Sequence, residues 1–272
     1  MADPASGAPA RAPDIVCRAV EKTFGRGAAA VPAVAPTDVS FAPGTTTALV
    51  GPSGCGKSTL LRMIAGLDAP TGGSIRIAGR TPGAVRNDGA LAMAFQDPSL
   101  LPWRSVAKNV ALARTLARRA PDPGLVDDLI GKVGLEGFGR RRPSELSGGM
   151  RQRAAIARAL ATEPTLVLLD EPFGAVDELT RRRLNLELPP VWSRNGATVL
   201  MVTHSVAEAV LVSDRVLVLS PRPARILADI AIPLTRPRGA EMTHKAEFRA
   251  LVSEIEAALA GDAVPSLAKA AE

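Results

Sequence analysis

Short apolar runs separated by polar and glycine-rich stretches recur along the chain, and their lengths predict strands. Residues 45–50, 91–95, 166–170 and 198–202 are nearly free of charged side chains. Continuous apolar runs of this length are typical of parallel strands that are covered on both faces. Shorter or more mixed runs predict further strands at residues 15–23, 37–41, 74–78, 215–219 and 226–232. The sequence therefore predicts an α/β fold around a buried sheet.

Between the strands the periodicity becomes helical. Residues 97–155 carry amphipathic pieces at 106–112 and 125–130, which predict an inserted helical subdomain. A helix is expected from Thr180, and Pro189-Pro190 should end or kink it. Residues 25–36 show no clear period and are expected to form a loop.

The last segment, residues 239–272, is predicted to be a helical tail. Its apolar positions recur at helical spacing and should pack either on the domain or on a partner. These positions are Phe248, Leu251, Val252, Ile255 and Leu259. We expect one main domain over residues 14–238, preceded by a disordered leader rich in Ala and Pro at residues 1–13.

Composition narrows the class of protein. The chain has 272 residues and 46% hydrophobic residues, which is enough for a globular core. No charge-free apolar run reaches the roughly 20 residues that cross a bilayer, and the leader lacks the apolar core of a secretory signal. Two cysteines, Cys17 and Cys55, suit a reducing compartment. We therefore expect a cytoplasmic protein.

The net charge is +6, and arginine clusters stand at residues 140–142 and 181–183. Such clusters are compatible with nucleic-acid binding or with solvated helix faces. Only 3% of the residues are aromatic, so the chain lacks the interleaved rings that stack on bases. No nucleic-acid partner is expected.

A glycine-rich motif lies between the predicted strand at 45–50 and an apolar helical run at 60–65. Its glycines let backbone N–H groups converge on an anion, and the helix dipole adds to that attraction. The predicted nucleotide-binding residues here are Gly51, Pro52, Ser53, Gly54, Cys55, Gly56, Lys57, Ser58 and Thr59. Lys57 is expected to reach the β- and γ-phosphates and Ser58 to bind Mg²⁺.

Polar side chains follow three of the buried strands, where ligands of open α/β sheets bind. Gln96 can serve Mg²⁺ or an attacking water, or it is an ordinary loop glutamine. Asp170 can hold the Mg²⁺ shell and Glu171 can take a proton from water, unless the two acids cap a neighbouring helix. His204 is either a γ-phosphate contact or a core histidine.

Three further features admit two interpretations each. Ser147, followed by Gly148 and Gly149, predicts a helix start that is either a second anion site or a common cap. Phe24, at a strand end, can stack on a purine or pack in the core. Trp103, in an apolar loop, marks either a docking surface or local packing.

Taken in order, these motifs resemble those of ABC-type ATPases over nearly all of the chain after the leader. The run Leu-Ser-Gly-Gly-Met-Arg-Gln-Arg from residue 146 is the most specific of them. The resemblance implies a RecA-like P-loop core with an N-terminal antiparallel β portion and an inserted helical subdomain. It also implies ATP and Mg²⁺ as cofactors, and a head-to-tail homodimer in which Ser147 faces the partner's phosphate loop.

The same resemblance implies a role for each matching residue. Lys57 would bind the phosphates, Ser58 and Gln96 the Mg²⁺, and Asp170 its hydration shell. Glu171 would be the base, and His204 would contact the γ-phosphate. Asp177 would lie in the loop that crosses to the partner site, and Phe24 falls where tyrosine is common. Val176 and Ser205 depart from the usual leucine and aspartate without removing a group that the chemistry needs.

Residues 100–103 and 220–226 resemble those of bacterial ATP-binding subunits that serve nitrate, sulfonate, taurine and pyrimidine-precursor importers. This implies membrane permease subunits docking near Gln96 to Trp103, a substrate-binding protein that selects the cargo, and a peripheral position on the inner face of the cell membrane. The alternative is a soluble ABC ATPase acting on DNA or ribosomes. The sequence shows no second cassette, coiled-coil insertion or zinc cysteines of that class.

Overall fold

The apolar runs pair into two sheets in the computed structural model, which describes residues 12–193 and 196–261. Within these residues nine strands form: β1 (Ile15–Phe24), β2 (Val31–Phe41), β3 (Thr46–Val50), β4 (Gly72–Ile77), β5 (Leu91–Ala94), β6 (Leu166–Asp170), β7 (Thr198–Val202), β8 (Arg215–Leu219) and β9 (Ile226–Ala231). The predicted strands are thus confirmed with small shifts at their ends, except β2, which begins well before the predicted residue 37.

The larger sheet has the strand order β5-β6-β7-β3-β8-β9. Its first five strands run parallel, and β9 pairs antiparallel with β8. Every residue of β3, β6 and β7 is buried, as their continuous apolar sequences predict. The carboxyl ends of β5, β6, β7 and β3 therefore meet along one edge.

A second sheet of three antiparallel strands, in the order β2-β1-β4, covers one face of the first. The predicted loop at residues 25–36 is wrong for its second half, because β2 already begins at Val31. Pro32 and Pro36 hide the alternation in the sequence. Both are tolerated because β2 is an edge strand of this sheet and its pairing with β1 is irregular beside each proline.

Nine helices form within the same residues: α1 (Lys57–Ile64), α2 (Pro82–Asn87), α3 (Val106–Leu116), α4 (Pro123–Lys132), α5 (Gly148–Leu160), α6 (Glu178–Glu187), α7 (Pro189–Ser193), α8 (Val206–Val212) and α9 (Ala246–Ala260). Helix α6 ends before Pro189, as predicted, and the proline begins α7. The short helices α2 and α8 were not predicted. Helices α3, α4 and most of α5 lie within the predicted subdomain, whose boundaries stay a prediction.

The helical tail packs on the domain. In α9, Phe248 and Ile255 are buried, and the helix contacts α8, β8 and β9.

Residues 1–11 of the predicted leader and residues 262–272 of the predicted tail lie outside the described residues. Among the helices that the structure describes, none is long and apolar enough to cross a membrane.

Arg238, the residue before the helical tail, is a buried arginine that is bonded to the end of α8. Arg238 is 8% exposed, and burial lowers the pKa of its guanidinium to about 10. Its three nitrogens donate hydrogen bonds to the carbonyl oxygens of Val210, Leu211, Ser213, Ile232 and Leu234. Three of these carbonyls belong to the last turn of α8 and the residue after it. Arg238 thus satisfies acceptors that the end of α8 leaves open.

We expect Arg238→Lys to destabilise the fold. Lysine keeps the charge but has a single nitrogen, so buried carbonyls lose their donors and the free energy of unfolding should fall by about 2 kcal/mol. Urea denaturation of both variants measures this, with the exposed Arg249→Lys on α9 as the matched control. Equal stability of the two variants would contradict the role of Arg238.

Candidate active site

The phosphate loop, residues 51–56, joins β3 to α1 and is shaped by its glycines. Gly54 and Gly56 have φ of +71° and +127°, which side-chain-bearing residues rarely adopt. A Cβ at Gly56 would lie 2.5 Å from the Ala33 carbonyl oxygen, and one at Gly51 would lie 2.8 Å from that of Leu219. Helix α1 has no side-chain cap at Gly56, so its first N–H groups remain available to an anion.

Lys57 lies inside this loop and is 4% exposed. Its Nζ donates to the carbonyl oxygens of Gly51 and Pro52, each at 2.8 Å, and lies 3.8 Å from the Cys55 Sγ. An ammonium has three donors, so one strong donor remains for a phosphate oxygen. Cys55 is buried, in line with a small residue that fills a tight loop.

Ser58 and Asp170 form the candidate magnesium site. Ser58 Oγ donates to Asp170 Oδ1 at 2.8 Å, joining the first turn of α1 to the end of β6. Burial raises the pKa of the Asp170 carboxyl, and the Ser58 hydrogen bond opposes that rise. A hydroxyl and a buried carboxylate are the hard oxygen ligands that Mg²⁺ prefers, and the ion takes its other ligands from phosphates and water. The residues present therefore fit Mg²⁺.

No larger ligand set competes with this pair. In the part of the chain that the structure describes, no group of three or more His, Cys, Asp or Glu side chains could hold a metal ion. A dedicated all-protein cage, as for zinc, is therefore not built from the described residues.

The Glu171 carboxylate lies between two other predicted residues. Gln96 Nε2 is 3.4 Å from Glu171 Oε2, and His204 Nδ1 is 3.8 Å from the same oxygen. The backbone N–H of Glu171 donates to the Val202 carbonyl oxygen at 3.0 Å, tying the ends of β6 and β7 together. Glu171 has φ +46°, an unusual value for a residue with a side chain.

Gln96, Glu171 and the phosphate loop line one open cleft of about 310 Å³. His204 adjoins this cleft through Glu171, and its imidazole is 56% exposed. The core-histidine interpretation of His204 is therefore wrong. Asp170 and Glu171 do not cap a helix, and they face the predicted site instead.

Arg222 also lines this cleft, and the sequence analysis did not assign it to the site. It belongs to a short turn after β8 that is held to β2 by two backbone hydrogen bonds. Ala35 N donates to Ala224 O at 3.0 Å, and Ala224 N donates to Ala33 O at 2.9 Å. The local sequence does not show that this turn lies beside the cleft, because the contact with β2 joins segments nearly 190 residues apart.

The remaining predicted residues do not line the cleft. Ser147 is the N-cap of α5 and accepts from the Met150 N–H at 3.2 Å, as predicted. Gly149 lies against the next loop, where a Cβ would be 2.8 Å from the Ala175 carbonyl oxygen. Asp177 is the N-cap of α6, and the hydrogen bond from the Thr180 backbone holds the pKa of its carboxyl below the usual range.

Phe24 and Trp103 are both surface residues. Phe24 ends β1 and is 41% exposed, with Lys22 Nζ 5.1 Å from the centroid of its ring. Trp103 is 68% exposed, so the local-packing interpretation of this residue is wrong. Whether Phe24 stacks on adenine stays a prediction, and the exposed ring leaves room for it.

Comparisons with known proteins agree with this geometry. Residues 34–174 match the family model described as ABC transporter. The nitrate import ATP-binding protein NrtC of Synechocystis sp. is 47% identical over 209 residues, which are 74% of this chain and 30% of that protein. The chain thus spans less than a third of that relative's length. The aliphatic sulfonates import ATP-binding protein SsuB 2 of Burkholderia cenocepacia is 49% identical over 201 residues, 74% of this chain and 73% of that protein.

A solved structure is also similar over most of the chain. It is described as a dimeric structure of a post-hydrolysis state of the ATP-binding cassette MJ0796 bound to ADP and Pi. It has a TM-score of 0.74 and 27% identity, and the match covers 81% of this chain and 100% of that one. The RecA-like P-loop α/β fold is thus confirmed. From the matched family model and the shared fold, the chain belongs to the ABC transporter family and carries that family's ATPase domain.

Proposed function

We propose that this chain is the ATP-hydrolysing subunit that energises a bacterial ABC importer for a small anion or organic solute. The observation that carries the proposal is the Glu171 carboxylate, which faces the phosphate-loop cleft between Gln96 and His204. Two relatives of this chain are named as import ATP-binding proteins, one for nitrate and one for aliphatic sulfonates. The cargo is a nitrate-like, sulfonate-like, taurine-like or pyrimidine-precursor solute, and a separate substrate-binding protein selects it.

In the proposed reaction the chain positions and activates water against the γ-phosphate. Lys57 and the N–H groups of the loop hold the phosphates, and His204 contacts the γ-phosphate. Glu171 takes the proton of the attacking water, which Gln96 helps to orient. Ser58, Gln96 and Asp170 would hold Mg²⁺ directly or through water, and the ion would supply charge neutralisation at the phosphates.

The catalytic unit is a homodimer with ATP between its subunits. In one chain the cleft is partly open to solvent, and the α5 start at Ser147 lies outside its lining. The free N–H groups of Gly148 and Gly149 suit an anion. A head-to-tail pair places this helix start over the partner's γ-phosphate and excludes water. The dimeric description of the similar cassette supports this arrangement.

Permease subunits dock on a groove beside Gln96. The groove, which we call the α3 groove, has a volume of about 810 Å³ and lies between β5, α3 and α5. Its apolar lining includes Leu91, Met93, Phe95, Leu101, Leu112 and Leu116, and its rim includes Arg86, Arg118 and Arg158. A short amphipathic helix fits such a groove. Trp103, two residues after Leu101, provides an exposed anchor, and docking places the chain on the inner face of the membrane.

Glu171→Gln should abolish turnover and keep ATP binding. The amide cannot accept the proton of water, so turnover should fall by at least about 10²-fold, while trapped ATP stabilises the dimer. Phosphate release and size-exclusion chromatography with ATP measure the two effects. The exposed Glu136→Gln is the matched control. Normal phosphate release by Glu171→Gln would remove Glu171 as the base and, with it, the proposed mechanism.

Lys57→Ala should reduce turnover by about 10² to 10³, because one preorganised charge at the phosphates is lost. The exposed Lys245→Ala changes the same residue type away from the cleft and should leave turnover unchanged. Steady-state phosphate release compares the two. If both variants were near normal, Lys57 would not belong to the site.

Trp103→Ala should spare nucleotide binding and weaken assembly with the permease, because interface tryptophans often carry much of the binding energy. Leu227→Ala is the control, since Leu227 is 49% exposed on β9 at the opposite edge of the sheet. Copurification with the coexpressed permease subunits of the proposed importer measures assembly. Unchanged copurification of Trp103→Ala would show that the docking surface lies elsewhere.

A further inference from the structure

A buried carboxyl group lies behind His204 and takes no part in the mechanism above. Glu208, in α8, is 6% exposed, and Thr203, which precedes His204, is 2% exposed. The Thr203 hydroxyl donates a hydrogen bond to Glu208 Oε2. An acidic residue this deeply buried is rare unless its environment holds it in a defined state.

Hydrogen bonds from this pair fix the backbone on both sides of His204. The Ser205 N–H donates to Thr203 Oγ1 at 3.0 Å, and the Glu208 N–H donates to Ser205 Oγ at 3.3 Å. Thr203 and Ser205 are thereby held in place. The His204 imidazole between them stays exposed beside Glu171. The anchored loop therefore sets where the imidazole lies relative to the cleft.

Helix α6 packs on the other side of Glu208. The Asn185 amide is a hydrogen-bonding neighbour of the carboxyl and is 6% exposed. Glu208 Oε1 and Asn185 Oδ1 are both buried without a partner in the described structure. Each of these buried oxygens carries a desolvation penalty.

Burial and the neighbouring groups act in opposite directions on the Glu208 carboxyl. Burial raises the pKa of Glu208, while the Thr203 hydrogen bond, the Arg181 guanidinium, the Asn185 hydrogen bond and His204 lower it in part. Arg181 and His204 line the same small cavity as Glu208. Burial is the largest of these effects, so the pKa of the carboxyl lies above its ordinary value.

We propose that Glu208 is a positioning residue that links α6 to His204: its carboxyl accepts the hydrogen bond of the Thr203 hydroxyl and lies beside the Asn185 amide of α6. The inference rests on the proposed contact between His204 and the γ-phosphate. Helix α6 begins at Asp177, in the loop predicted to reach the partner subunit. A shift of α6 on dimerisation would move Asn185 and therefore the loop that holds His204.

Glu208→Ala and Glu208→Gln test the link in the full-length chain. Glutamine keeps an oxygen that can accept the hydrogen bond of the Thr203 hydroxyl, whereas alanine has none. We expect Glu208→Ala to lower kcat about tenfold, equivalent to about 1.4 kcal/mol, with ADP affinity unchanged because ADP has no γ-phosphate. Glu208→Gln should stay within about threefold of the wild-type kcat. The exposed Glu247→Ala on α9 is the control.

His204→Ala separates this inference from the proposed function. In that background Glu208→Ala should cause no further loss of kcat, because a positioning residue acts only through the group it positions. Equal losses in both backgrounds, or equal losses for Gln and Ala, would overturn the link. A normal kcat in His204→Ala itself would instead overturn the γ-phosphate contact.

A second variant covers the case in which Glu208→Ala does not fold. Thr203→Val keeps the shape of the side chain and removes only the hydroxyl that joins the loop to Glu208. Its kcat should fall about tenfold with ADP affinity unchanged, and only when His204 is present. An unchanged kcat in a folded Thr203→Val would overturn the proposal.

Discussion

The parallel pairing of β6 with β7 and of β7 with β3 is the constraint on which the site depends. It brings the ends of these strands to one edge, so that Asp170 meets Ser58 and the Glu171 N–H meets the Val202 carbonyl. Each strand is buried on both faces, so the whole length of these strands is packed in the interior. The chemistry at the edge is therefore held by strands that are packed on both sides.

This constraint also explains which parts of the site the sequence could predict. Gln96, Asp170, Glu171 and His204 follow apolar runs directly, and parallel strands must end together, so their meeting follows from pattern alone. Arg222 and Glu208 could not be found in this way. Arg222 reaches the cleft because a turn after β8 pairs with β2, and Glu208 lies in a helix of seven residues, too short to show a clear period.

The strands likewise divide into those that the sequence could predict and those that it could not. Strands with continuous apolar sequences were predicted nearly to the residue, whereas β2 was half missed because its prolines interrupt the alternation. Proline is acceptable there because β2 is an irregularly paired edge strand, and both features are properties of the assembled sheet. Local sequence thus predicts the elements that are completely buried. It fails for elements whose structure depends on the strands paired with them.

The backbone at Glu171 shows how two adjacent acids serve one cleft. In a continuing strand, successive side chains point to opposite faces, so Glu171 would point away from the side on which Asp170 meets Ser58. The φ of +46° ends the strand immediately after Asp170 and turns Glu171 toward Gln96 and His204. Such a conformation costs about 1–3 kcal/mol. The bond from its N–H to Val202 helps to hold that conformation, which places the Asp170 and Glu171 carboxylates side by side.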